Sequence, residues 1–147
     1  MEPKELVSEF IRRCDAAVSG ASGEDPYALM AEDVEVKVQG RTVLSGDYPT
    51  LEIVRMVLVG SLAARVAKAH VELDSMIGQG NRVATLLRIT GETTDGQVYN
   101  SKRDLGGCIF GVEGEKISQI VLFLDNTVVE TVLLGRQYLP TRQEAEA

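Results

Sequence analysis

Histidine occurs once in this sequence, at His70, and cysteine twice, at Cys14 and Cys108. A single imidazole cannot supply an all-histidine metal site from one chain. The cysteines lie far apart with no CxxC spacing, which leaves two buried thiols in a reducing cytosol, a disulfide or a nucleophile as open readings. Basic residues never cluster beyond Arg12-Arg13 and Lys102-Arg103, and the net charge is −7 with a pI of about 4.8. That balance disfavours a nucleic-acid surface or an anionic membrane as partner. The longest apolar stretch, 53–67, is interrupted by Arg55 and Arg65 and is too short to span a bilayer. The opening Met-Glu-Pro-Lys-Glu, followed by an amphipathic segment, does not read as a secretory leader, so a cytoplasmic protein is expected. No Walker loop, GxGxxG fingerprint, HExxH pair or metal cluster is present, and no cofactor is expected.

What is present suits one ordered domain. The 147 residues are 44% hydrophobic and 25% charged, enough to bury about 70% of the unfolded surface. The domain is expected over 1–135, with a flexible tail over 136–147. Leu6, Val7, Phe10, Ile11, Cys14, Ala17 and Val18 recur at helical spacing, so an amphipathic helix covers one side of something and ends at Gly20–Gly23. Asp25 sits at an N-cap and Pro26 at the first helical position of a short second helix through Ala31. Val34, Val36 and Val38 alternate with Glu35, Lys37 and Gln39 as a half-buried strand, turning at Gly40-Arg41 into a partner, Thr42–Leu44. A third helix is expected from Thr50 to about Ala64, apolar nearly all round and therefore deeply buried. Four β-type runs follow: Val66–Ile77, Arg82–Thr93, Val98–Val112 and Lys116–Asp125, with turn residues between them. The expected architecture is α+β, a strongly curved, mainly antiparallel sheet wrapped over helices, with a cone mouth suited to a ligand.

Several segments in this order carry a resemblance: Tyr27-x-x-Met30-Ala31-Glu32-Asp33-Val34, Leu44-Ser45-Gly46, Gly96-x-x-Tyr99-Asn100, Val112–Ile117 and Leu122-Phe123-Leu124-Asp125. Over Leu6 to about Leu134 the chain resembles the nuclear-transport-factor-2-like (NTF2-like) superfamily, most of all its SnoaL-like branch. That superfamily includes ketosteroid isomerase, limonene epoxide hydrolase and SnoaL-type polyketide cyclases. The resemblance implies a pocketed, cystatin-like cone, commonly homodimeric through the outer sheet face, acting on small apolar organic molecules.

The family's chemistries fit unequally. Anchored on Ser45-Gly46, Lys37 falls where ketosteroid isomerase carries its base, and Gly107 or Cys108 where it carries its oxyanion-hole acid. Against limonene epoxide hydrolase, Asp125 matches the last aspartate, but Arg88 stands where the other acid would be. A SnoaL-type cyclase needs one acid/base carboxylate, which Asp125 resembles. The resulting expectation is cofactor-independent isomerisation, cyclisation or hydration. Asp125 would be the proton acceptor, and Arg88 would meet it inside the cone to hold the carboxylate ionised or bind an oxyanion. The other reading of Asp125 is a cap on the turn into Asn126-Thr127, in a non-catalytic binding or assembly protein. Expected ligand contacts are Cys14, Tyr27, Tyr48, Leu86, Asn100 and Phe123. His70 shares a strand face with Glu72 and Asp74, either as a solvated or dimer-facing polar row or as a His–acid pair.

Overall fold

Apolar residues repeat every third or fourth position at the N-terminus, and the computed structural model, which describes residues 1–135, accordingly begins with helix α1, Pro3–Ser19. Pro3 opens it where no amide partner is needed, and Gly20 closes it at φ 82°, a left-handed cap that costs glycine nothing. Its Leu6, Val7, Phe10 and Ile11 are buried. Asp25 accepts from the Tyr27 amide at 2.9 Å, so the expected cap is present. The element it caps is a single 3₁₀ turn, Pro26–Leu29, because Met30 already begins a strand.

The strands are β1 Met30–Val38, β2 Gly46–Pro49, β3 Val66–Gln79, β4 Arg82–Thr93, β5 Val98–Tyr99, β6 Leu105–Glu113 and β7 Lys116–Phe123. They form one sheet in the order β2-β1-β7-β6-β4-β3, with β5 pairing β4. All pairings are antiparallel except β1 with β7, so the sheet is mixed. Register shifts in β1 (Met30/Glu35), β3 (Leu73/Ser75) and β6 (Gly111/Val112) help bend it, since each unpaired residue increases local twist. The concave face carries Val83, Thr85 and Leu87 of β4, Cys108, Phe110 and Val112 of β6, and Ile117 and Ile120 of β7. Helix α1 lies over that face.

Three expectations change. The partner of β1 is Gly46–Pro49 rather than Thr42–Leu44, because Ser45 Oγ pairs with the Thr42 amide and side chain and folds 42–45 into a turn. The run Val98–Val112 is broken by a loop over 100–104, anchored by Asn100. The third helix, 51–63, is α-helical at both ends and π-wound over Val54–Val59, and it is not deeply buried. It packs Val54 and Leu58 onto the core but leaves Ile53, Met56 and Val57 in solvent, because the sheet covers only one of its faces. The expected tail, 136–147, lies outside the described residues.

Candidate functional site

One end of the cone is covered by the last described helix. Asp125 opens this helix, its Oδ1 accepting from the amides of Thr127 (3.0 Å) and Val128 (3.2 Å). Val129 and Leu133 are buried against Leu44, with Leu62, Val66, Tyr99 and Leu124 packed around them. Beneath lies a cavity of about 30 Å³ lined by Ile89, Tyr99, Asn100, Asp104 and Asp125 among others. It has space for a water or two and none for an organic molecule. The Tyr99 phenol is pushed up to about 12, first by burial and then by the Asp125 charge, so it stays protonated.

Deeper in, the cone is filled by its own side chains. Phe10 of α1 meets Phe110 of β6 edge-to-face, centroids 5.8 Å apart and planes at 74°. Leu6, Val7, Ile11 and Leu58 pack around this pair against Val83, Leu87 and Ile120. Burial of Cys14 and Cys108 raises both thiols to about 12, so neither is a thiolate nucleophile at neutral pH. Both cysteines are free. Among the described residues, no group of three or more His, Cys, Asp or Glu is placed to hold a metal ion. No helix among them is long and apolar enough to cross a membrane.

The expected Asp125–Arg88 site does not assemble. Arg88 Nη1 donates to Asp74 Oδ1 at 2.5 Å, and no hydrogen bond or ion pair joins it to Asp125. The cause is strand parity. On β4 the inward residues are Val83, Thr85 and Leu87, so Ala84, Leu86 and Arg88 face outward. On β7, Ile120 and Leu122 pair with inward Phe110 and Cys108, so Val121 and Phe123 also face outward. Leu86 and Phe123 therefore flank Gly107 on the outer face rather than lining the cone.

Of the other expected contacts, Cys14 and Tyr27 come within electrostatic reach of each other, and the Arg55 guanidinium sits 4.6 Å over the Tyr27 ring. The Tyr48 hydroxyl donates to the Leu44 carbonyl at 2.6 Å. The Asn100 amide is committed to the backbone, donating to Ile89 and Asp104 carbonyls and accepting from the Asp104 amide. His70 stands on the outer face opposite Thr90, with Nδ1 3.5 Å from Asp15 Oδ1. Tyr99 and Asp104 are lining residues that alternation conceals, because a continuous strand over 98–112 hides the loop that brings them to the cavity.

No protein-family model matches the sequence, and no curated protein does. Solved structures match throughout the fold. An NTF2-like protein of unknown function from Burkholderia pseudomallei superposes with a TM-score of 0.73 at 13% identity, covering 90% of this chain and 98% of its own. A putative SnoaL-like polyketide cyclase from Jannaschia gives 0.67 at 14% identity, covering 91% and 94%. A protein with a ketosteroid isomerase-like fold from Catenulispora acidiphila, solved in complex with trimethylamine, gives 0.64 at 16% identity, covering 90% and 98%. The chain has the NTF2-like, cystatin-like cone fold. At these identities the likeness is one of fold, and fold does not carry reaction.

Proposed function

We propose that this chain is a non-catalytic assembly protein that pairs with a second copy of itself through the outer face of its sheet. The observation that carries the reading is that face. Ile77 (75% exposed), Leu105 (45%), Leu86 (43%) and Phe123 (43%) stand on it, with Ile109, Val121 and the bare backbone of Gly107 between them. A contiguous apolar face on a soluble chain marks an interaction surface. The occupant follows from charge. Around the patch Asp74 pairs with Arg88, Glu72 with Arg103 and Glu35 with Lys37, so this face is electrically balanced on a chain of net charge −7. Two copies can meet there without like-charge repulsion, and a two-fold contact needs only one self-complementary patch. Phe123→Asp should leave a monomer. Met56→Asp, at an apolar residue 71% exposed on the third helix, should leave the assembly unchanged. Equal oligomer masses for Phe123→Asp and the unmodified chain would contradict the proposal.

A second reading keeps the cone mouth as a site for a small apolar organic molecule, processed by cofactor-independent acid/base chemistry. Its support is the placement of Tyr99, Asp104 and Asp125 on one cavity. It requires the helix opened by Asp125 to move aside, because the cavity as it stands has room only for a water or two. Native mass spectrometry separates the readings: a small-molecule adduct that Asp125→Asn loses supports this one, and an adduct-free mass of two chains supports assembly.

A further inference from the structure

On the outer face of β3 and β4, the 100–104 loop borders an open groove of about 320 Å³. That is the size of a small-molecule site. We infer that this groove binds a small organic carboxylate. The loop is held with some force. Asn100 and Arg103 both adopt the left-handed region, at φ 55° and 57°. Asparagine tolerates this, but for arginine it is a strained conformation of the kind that collects at working sites. Two hydrogen bonds donated by the Asn100 side chain, one it accepts from the Asp104 amide, and an ion pair from Arg103 to Glu72 keep the loop there.

The lining then presents donors. The Lys68 side chain makes no hydrogen bond or ion pair among the described residues. Arg103 uses Nη2 on Glu72, which leaves its other guanidinium N–H groups for a second acceptor. His70, Thr90 and Ser101 add polar hydrogens, and Val98 supplies an apolar wall. Glu92 is the one carboxylate in the lining. Glu72 on Arg103 and Glu92 in the lining offset the two cations, so the unpartnered Lys68 ammonium and the remaining Arg103 N–H groups are what would hold an anion with a short carbon body. A forked guanidinium matches a carboxylate in particular.

The test is a titration of the full-length, ¹⁵N-labelled protein with succinate, with uncharged succinamide as the matched probe. Succinate should shift the amides of Lys68, His70, Thr90, Glu92 and Arg103 along a saturable curve with a Kd of about 1 mM or tighter, while succinamide leaves them in place. Lys68→Met and Arg103→Asn, the latter keeping a residue that accepts the left-handed backbone, should each weaken binding about tenfold. Both should melt within a few degrees of the unmodified chain. No saturation by about 10 mM, an equal response to succinamide, or unchanged affinity in both variants would overturn the assignment.

Discussion

Replacing Phe110 by alanine tests whether the cone is filled by its own side chains. Phe110 is 2% exposed, its strand neighbours are Val83 and Ile120, and its ring takes the edge of Phe10. Truncating a buried phenylalanine costs about 3–5 kcal/mol, of which the edge-to-face contact contributes about 0.5–1.5 kcal/mol. With roughly 5–15 kcal/mol of total stability, the variant should still fold. Its Tm should fall by roughly 10–15 °C, at about 3 °C per kcal/mol for a chain of this size. The substitution also opens an apolar hollow on the order of 100 Å³, which should stay dry and admit benzene. Thermal melts with and without saturating benzene are the assay: benzene should raise the Tm of Phe110→Ala and leave the unmodified protein unchanged. A loss below about 1 kcal/mol, far under the range for a packed phenylalanine, would refute the reasoning. So would equal stabilisation of the unmodified chain by benzene, since either result means that the cone already holds a void.

A Cβ at Gly91 would lie 2.8 Å from the Lys68 carbonyl oxygen. Gly91→Ala should therefore push β3 from β4 and cost about 1–3 kcal/mol in a denaturant melt. Asp125→Ala removes both cap bonds of the last described helix and should cost about 1 kcal/mol. Its hydrogen exchange should quicken over 126–133 while α1 stays protected. Cys108 has its thiol raised from 9.0 to about 12 by burial, so the unfolded chain releases this proton first. The stability it supports is intact below pH 9 and is lost as pH rises through 12, up to about 4 kcal/mol at the limit. Cys108→Ala should flatten that alkaline slope in urea melts, and an unchanged slope would contradict the assignment.

Periodicity found the elements more surely than their orientation. The spacing of Leu6, Val7, Phe10 and Ile11 sets α1 and its buried face, and β4 runs Arg82–Thr93 as its alternation implies. Alternation, however, divides a strand into two faces without saying which is concave. On β4 the cue is inverted. Thr85 is buried, its hydroxyl donating to the Cys108 carbonyl at 2.8 Å, while Leu86 is exposed. On β7, Ile120, Val121, Leu122 and Phe123 are all apolar, so hydropathy cannot choose between parities. That ambiguity is why Arg88, Leu86 and Phe123 stand on the outer face instead of in the cone. The Asp125 cap was legible as one of two readings, since Asn126-Thr127 follows it as a helix start would. The loop at 100–104 was not, because its signal lies in side-chain bonds from Asn100 that span eleven residues to Ile89.

Sedimentation equilibrium of the unmodified protein tests the central claim most directly. If the outer face joins two copies, the mass at micromolar concentration is twice the 15.9 kDa of one chain, and Phe123→Asp returns it to the single value. A single-chain mass for the unmodified protein across that range would contradict the account.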